Sequence, residues 1–320
     1  MGVSRYLVRR LLRGLLTVLV SITITFLILR LMPGNPADIL VDPRMTAEVR
    51  SRILADFGLD RPLYQQYFVY IGNLVQGNLG VSFRSARPVL QVIRGRIGWT
   101  LLLMGTTFVV TFLLGVPLGV LAAVKRNSFL DRLITGLSII GNAVFIPWLA
   151  ISLLYFLGYI IPVFPIGGAV ALNVTGWARW QSIAMHLALP VASLTLINLA
   201  RYVLFLRSSM VEILAEDFVR TARAKGVRQG QVVYKHALRN AFLPTLTMMG
   251  LQLGYMVGGA ILTETVFAYP GLGRLIYESV QQHDYPVLQG TFIVLAITVI
   301  AANILTDAAY SILDPRVRFD

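Results

Sequence analysis

Long intervals without a charged residue constrain the fold of this chain more than any other feature. Runs free of Asp, Glu, Lys and Arg cover residues 14–29, 97–124, 133–178, 180–200, 240–263 and 285–306. A helix needs about 20 apolar residues to cross a ~30 Å hydrocarbon layer. The third interval is long enough for one span followed by a break at its prolines and glycines. The pattern therefore predicts an all-α integral membrane protein with six transmembrane helices.

The composition excludes the main soluble classes. The 320 residues are 56% hydrophobic and 13% charged, whereas about 25% of the residues in a soluble domain are charged. No cysteine is present, which excludes a disulfide framework and a thiolate metal site. A net charge of +13 would indicate nucleic-acid binding in a soluble protein. Here the cations lie between apolar intervals, so the composition favours a membrane protein.

The distribution of Lys and Arg predicts the orientation of the chain. With the N-terminus inside, the inner segments carry 16 of the 28 cations and the outer segments carry 11. Eight of the outer cations lie in segment 33–96, which is longer than the ~60 residues within which loop charge affects orientation. We expect both termini in the cytoplasm. The first apolar run is interpreted as a span and not a signal peptide, because no small-residue cleavage site follows it.

The chain is predicted to have three parts. Residues 1–32 form a tail and the first transmembrane helix, residues 33–96 an extracytoplasmic helical segment, and residues 97–320 a five-helix core that includes the 208–239 segment. Within the second part, Thr46 is expected to cap a helix that reaches Phe57, and another helix is expected from Leu63 to Val75. This segment is interpreted as a cover over the outer helix ends, a docking surface for another protein, or both.

The segment between the fourth and fifth spans, residues 208–239, is the most informative. Residues 210–224 have helical composition, and Gly226 is expected to end that helix in a left-handed turn. A second short helix is expected from Gln231 to Leu238. A basic loop that binds only lipid headgroups would explain the cations, but not 32 residues of helix and turn. Small side chains beside the cations leave one face open to close approach by another protein; these residues are Arg220, Thr221, Ala222, Arg223, Ala224 and Lys225.

The same segment carries a resemblance to a known family. Residues 220–226, Arg-Thr-Ala-Arg-Ala-Lys-Gly, followed by His-Ala-Leu-Arg-Asn at 236–240, are similar to the cytoplasmic EAA loop of ABC importer permeases. Only Ala222 and Gly226 match the general Glu-Ala-Ala pattern, and Arg220 stands at the Glu position. The Thr-Ala-Arg-Ala-Lys-Gly form is the one used by the dipeptide, oligopeptide and nickel branch.

Further short motifs along most of the chain resemble the first of the two permease types in that branch. They lie at residues 6–11, 33–36, 57–62, 77–82, 207–210, 264–267, 270–273, 284–286, 289–290 and 313–316. The resemblance implies a type I ABC importer transmembrane domain that forms half of the translocation pathway, in the cytoplasmic membrane of a bacterium or archaeon. Di- or oligopeptides are the implied solutes, with oligosaccharides, glutathione or nickel chelates as alternatives.

The resemblance also implies the partners and the residues that couple to them. The implied partners are a second homologous permease, two cytoplasmic ATPase subunits and an extracytoplasmic solute-binding protein. ATP and Mg would be bound by the ATPases, with no cofactor in this chain. The residues implied to couple to the ATPases are Phe218, Arg220, Thr221, Ala222, Arg223, Ala224, Lys225, Gly226 and His236.

The sequence contains no convergent catalytic set, so we expect no enzymatic activity in this chain. No P-loop motif occurs, and the three histidines, at positions 186, 236 and 283, fall in different segments, so no metal site is expected. A secondary transporter would need inverted repeats and a mid-span carboxylate. A membrane-embedded enzyme would need a convergent set of reactive side chains. The sequence shows no clear sign of either.

Two ionisable residues near the spans are candidates for the pathway or for a subunit interface. Arg201 lies six residues before Arg207, and is therefore about 9 Å deeper along a helix. Intramembrane cations usually face a cavity or a partner, although Arg201 could also snorkel to the inner interface. Glu264 lies at the end of the fifth span and is the second candidate.

Overall fold

The computed structural model describes residues 3–31, 48 and 61–313. Within these residues the regular elements are helices, joined by turns and by one isolated antiparallel bridge between Val81 and Pro88. The all-α prediction is therefore confirmed. Apart from Glu48, the helix predicted from Thr46 to Phe57 lies outside the described residues.

The helices follow one another with short connections. In chain order they are α1 (Val3–Leu31), α2 (Leu63–Val75), α3 (Val89–Val124), α4 (Phe129–Ala143), α5 (Ile146–Leu154), α6 (Gly176–Ala215), α7 (Asp217–Ala224), α8 (Leu238–Val266), α9 (Leu272–Gln281) and α10 (Tyr285–Leu313). A π-helical segment, Tyr155–Ile160, follows α5, and a second one, Val232–Ala237, leads into α8. The helices form two compact units. The first contains the described residues up to 98 together with 271–300, and the second contains residues 99–270 and 301–313.

Among the described residues, four helices are long and apolar enough to span a membrane, in α1, α3, α6 and α10. The helices α4 and α5 are separated by a 99° bend. Together with the π-segment that follows α5, they make a fifth span if the bent pair is counted as one span. The helix α8 covers the fifth predicted interval, residues 240–263, but many of its side chains lie outside the described set. The six-span count therefore stays a prediction.

The bend between α4 and α5 falls earlier than the sequence predicts. The chain is extended at Val144 and Phe145, before any of the prolines in interval 133–178. Pro147 instead lies in the first turn of α5, where its missing N–H costs no hydrogen bond. The proline was therefore a signal for the start of the second helix and not for the end of the first.

Aromatic contacts and one close backbone approach organise the first unit. The ring of Phe26 in α1 is 2% exposed and packs against Tyr67 and Tyr70 of α2 at 5.3 and 5.7 Å between ring centroids. The predicted helix from Leu63 to Val75 is confirmed with the same bounds. In α10, Gly290 lies so close to α3 that a Cβ there would approach Val89 to 2.6 Å.

The long helix α6 organises the second unit. It packs against α4, α5 and α8, and Val203, Leu206 and Met210 on it are buried. Two glycines allow close approach to α6. A Cβ at Gly119 of α3 would lie 3.0 Å from Leu206, and a Cβ at Gly141 of α4 would lie 3.3 Å from the Cβ of Ala200. The helix α6 is therefore the element about which the other long helices of the second unit pack.

Candidate functional site

The segment after α6 contains the short amphipathic helix α7. Val219 on α7 is fully buried, whereas Phe218 is 41% exposed. The sequence predicts one helix over residues 210–224, and this is wrong, because the helix breaks at Glu216, whose ψ is 149°. The carbonyl of Glu216 accepts from the backbone N–H groups of Val219 and Arg220 and so begins a new helix. The change of direction lets the apolar Val219 face inward and leaves the remaining side chains of α7 outside.

The predicted left-handed turn at Gly226 is confirmed by its φ of +74°. The N–H of Gly226 donates to the carbonyl of Arg223 at 3.0 Å, and the N–H of Val227 donates to that of Ala222 at 3.2 Å. These two bonds form a Schellman motif, which satisfies carbonyls at the end of α7. A Cβ at position 226 would meet no atom within 4 Å. Glycine is therefore favoured here by backbone conformation and not by crowding inside the chain.

Past this turn the chain returns to α8 through a buried π-segment. A short turn, Gln229–Gln231, precedes it, and Val232, Val233 and Ala237 within it are buried. The region predicted as a helix from Gln231 to Leu238 is therefore helical, but with π winding. His236 lies half-buried in this segment, and α7 packs against it.

Apolar residues from four elements form a core beneath α7, which we call the loop core. Its members come from α3, α6, the π-segment and α8, and are Val120, Ala123, Leu206, Met210, Val233, Ala237 and Ala241. Met210 and Ala237 are 0% exposed. The 208–239 segment is therefore a packed part of the second unit and shares this core with the three long helices α3, α6 and α8.

An ion pair with a buried carboxylate and a partly exposed guanidinium lies next to the loop core. The carboxylate of Asp131, in the first turn of α4, accepts hydrogen bonds from Nε and Nη2 of Arg207 at 2.5 and 2.7 Å. It also accepts from the backbone N–H of Asn127 at 2.8 Å and from the hydroxyl of Thr135 at 3.1 Å. The Asp131 side chain is 3% exposed. The sequence analysis missed this pair, although the spacing of Ser128, the N-cap of α4, and Asp131 resembles a capping box and could have drawn attention to the carboxylate.

The two other candidate residues lie away from the loop. Arg201 is exposed on α6, and its Nε donates to Oδ1 of Asn142 at 2.9 Å. It lines a shallow pocket with Tyr202, Phe205, Thr245 and Met248. The sequence analysis places Glu264 at the pathway or an interface, but the structure buries it completely, and its carboxylate accepts from the hydroxyl of Thr100 at 2.7 Å. Within the isolated chain Glu264 is therefore an internal residue of the second unit.

No group of three His, Cys, Asp or Glu side chains suited to a metal ion occurs among the described residues. His186 places Nδ1 2.7 Å from the carbonyl of Ser182 on its own helix, and His236 belongs to the π-segment. The arrangement around α7 consists of an exposed helix, a left-handed turn at Gly226 and a buried apolar core.

Comparison with known proteins assigns the family. Residues 115–319 match the family described as the binding-protein-dependent transport system inner membrane component. Residues 3–104 match the N-terminal region of membrane components of such systems. The chain belongs to this family. It is therefore a membrane component of a binding-protein-dependent transport system, and the 208–239 segment lies within the first of the two matches.

Relatives of the full length and a solved structure agree with this membership. The oligopeptide transport system permease protein AppB of Bacillus subtilis (strain 168) is 37% identical over 99% of this chain and 100% of its own. The glutathione transport system permease protein GsiC of Escherichia coli O6:H1 is 39% identical over 98% of this chain and 99% of its own. A chain from the inward-facing MetNI methionine ABC transporter is 19% identical, covers 70% of this chain and 97% of its own, and has a TM-score of 0.58. The fold is therefore that of a type I ABC importer membrane domain.

Proposed function

We propose that this chain is one permease subunit of an ATP-driven importer of di- or oligopeptides and forms half of the translocation pathway. The observation that carries the proposal is the exposed helix α7, ended by Gly226 and seated on the loop core, in a member of this transport family. The names of the relatives, an oligopeptide and a glutathione permease, support a solute with peptide bonds.

The proposed complex contains a second homologous permease, two cytoplasmic ATPase subunits and an extracytoplasmic solute-binding protein. ATP and Mg bind to the ATPases, and hydrolysis takes place there. The absence of a P-loop from the sequence supports this division of labour. The family description itself supports dependence on a binding protein.

The proposed orientation puts both termini and residues 208–239 in the cytoplasm, and residues 33–96 and 265–284 outside. The excess of Lys and Arg in the inner segments supports it. The membrane is the cytoplasmic membrane of a bacterium or archaeon. With this orientation α7 faces the compartment that contains ATP.

In the proposed coupling step, closure of the ATPase dimer displaces α7, and the loop core passes the displacement to α3, α6 and α8. Steric fit transmits the force, so small side chains on α7 and a fixed turn at Gly226 are required. The residues proposed to form or support the contact are Phe218, Arg220, Thr221, Ala222, Arg223, Ala224, Lys225, Gly226 and His236.

We assign Arg201 to the pathway or to the interface with the second permease. Its side chain is exposed in the isolated chain, and Asn142 orients the guanidinium through Nε. None of the described carboxylates forms an ion pair with it. A cation oriented in this way and without an anion can meet a carboxylate of a passing peptide or of the partner.

The test of this function has two steps. The binding protein encoded with this chain is purified without added solute, and its bound ligand is identified by mass spectrometry. The complete complex is then reconstituted in vesicles with that binding protein, and uptake of the identified solute is measured with and without ATP. We expect a peptide as ligand and uptake only with ATP.

Each step can contradict a different part of the proposal. A bound oligosaccharide or nickel chelate would contradict the peptide assignment and leave the importer intact. Uptake that depends on an ion gradient and not on ATP would contradict the importer. A catalytically inactive ATPase variant in the same vesicles is the control for ATP dependence.

A further inference from the structure

The Asp131–Arg207 pair differs in kind from the ion pair on α7. Asp131 accepts four hydrogen bonds, two of them from one guanidinium, with a side chain that is 3% exposed. On α7, Arg220 meets Asp217 through one contact at 3.3 Å, with side chains that are 72% and 94% exposed. The Arg207 side chain is 25% exposed. A partly buried bidentate pair is geometrically specific and less screened by salt than an exposed pair. We call the group of Asn127, Asp131, Thr135 and Arg207 the latch.

The latch joins two elements that the loop core does not connect. Arg207 lies on α6 between Leu206 and Met210, which are both members of the loop core. Asp131 lies at the start of α4, and α4 contributes no residue to that core. Nearer the other end of α4, contact with α6 is made by Gly141 against Ala200 and by the hydrogen bond from Arg201 to Asn142. In the first turn of α4, the ion pair between Asp131 and Arg207 is therefore the polar connection that fixes α4 to α6.

We infer that the latch is a positioning device that makes α4, and with it the bent span formed by α4 and α5, follow α6 when the 208–239 segment moves. This inference rests on the proposed function, because it assumes that ATPases displace α7. Two N–H···O bonds to one carboxylate resist both sliding and rotation of α4 against α6. Without them the loop core and α6 can move while α4 lags, so that ATP is hydrolysed without a completed change of access.

The test uses Asp131→Asn in the complete complex, reconstituted in vesicles with its binding protein and the solute that the wild type imports. The matched control is Glu278→Gln, the same carboxylate-to-amide change at the Arg274–Glu278 ion pair of α9, outside the 208–239 segment. The quantity measured is the number of ATP molecules hydrolysed per solute molecule imported. Substitutions within a coupling network change coupling by about 2- to 30-fold. We expect the ratio to rise within that range for Asp131→Asn and to stay at the wild-type value for Glu278→Gln.

Two further variants separate positioning from stability. Loss of one member of a buried pair leaves an uncompensated charge that can prevent assembly. The double variant Asp131→Asn with Arg207→Gln removes that charge and is expected to restore assembly. It does not restore the two hydrogen bonds from a guanidinium to a carboxylate. For a positioning role, the ATP-to-solute ratio stays raised in the assembled double variant. For a merely structural role, the ratio returns to the wild-type value together with assembly. Arg207→Lys keeps the positive charge but cannot donate the same pair of hydrogen bonds, so it should give an intermediate ratio of ATP to solute.

The outcomes are distinguishable from failure of the proposed function. If the wild-type complex imports its solute with ATP while the assembled variants at positions 131 and 207 keep the wild-type ratio, the latch has no role in coupling and the proposed function stands. If the wild-type complex neither binds ATPases nor responds to ATP, the proposed function fails, and the inference fails with it.

Discussion

The exposed helix α7 and the packed layer beneath it use their side chains in opposite ways. On α7, Val219 is fully buried, while the cations are exposed and the one ion pair, Asp217–Arg220, is open to solvent. In the layer beneath, Met210 is fully buried and Asp131 has four donors. The side chains of the layer are therefore packed or hydrogen-bonded within the chain, whereas most side chains of α7 are exposed. Under the proposed function, the layer maintains the structure and α7 contacts the ATPase.

The largest effect is expected for Gly226→Val, which tests whether the turn after α7 is needed for contact with the ATPase. A branched residue in the left-handed region costs about 1–2 kcal/mol, and its bulk would push α7 away from a partner surface. We expect insertion and pairing with the second permease to persist, ATPase docking to weaken, and solute-stimulated hydrolysis and uptake to be abolished. Co-purification and an uptake assay measure these effects. Gly230→Val is the matched control, since position 230 also has open space but no positive φ.

A substitution in the loop core tests whether this core stabilises the protein. Met210→Ala removes a fully buried side chain of the loop core, and such substitutions cost about 2–5 kcal/mol. We expect a lower melting temperature of the purified protein in detergent. Met185→Ala, at a position that is 37% exposed, provides the comparison and should melt near the wild-type temperature. Equal melting temperatures for the two variants would contradict the description of the loop core.

Arg201 lies on α6, outside both α7 and the loop core, and its proposed role can be tested separately. If Arg201 meets a carboxylate during transport, Arg201→Gln removes a hydrogen bond to a charged group, worth about 1.5 kcal/mol or more. Uptake should then fall on the order of tenfold, with normal expression and assembly. Arg228→Gln, at an exposed loop position, is the control. Unchanged uptake in Arg201→Gln would favour snorkelling to the interface.

The smallest effects are expected for single charge reversals on the surface of α7. Exposed ion pairs are typically worth ~0–1 kcal/mol. Arg220→Glu, Arg223→Glu and Lys225→Glu, each made alone, should therefore reduce ATPase docking by less than about fivefold, measured by quantitative pull-down. If each reversal abolished docking while Gly226→Val docked normally, the contact would be electrostatic and the steric account wrong.

Local signals in the sequence were sufficient where structure is decided locally. The helix from Leu63 to Val75 was predicted with its bounds, because Pro62 precedes it and Gly77 follows it. The turn at Gly226 was predicted for a similar reason, since glycine next to a helical stretch is typical of a left-handed cap. The two parts of the loop motif, residues 220–226 and 236–240, likewise lie close together in the sequence.

Tertiary contacts decided the features that the sequence did not predict. The break at Glu216 falls between residues of helical composition and depends on where Val219 is buried. Asp131 and Arg207 lie 76 residues apart, so only the packing of α4 on α6 brings them together. Glu264 is placed by its sequence at the end of a span, but its buried carboxylate accepts a hydrogen bond from Thr100, which lies 164 residues away.

The central claim, that the exposed face of α7 contacts an ATPase, can be tested by crosslinking. The chain lacks cysteine, so Ala224→Cys and Ser85→Cys each provide one exposed attachment point for a photoactivated crosslinker. In the assembled complex, the account predicts that Ala224→Cys forms an adduct with the ATPase subunit and that Ser85→Cys does not. An ATPase adduct at position 85, with none at position 224, would contradict it.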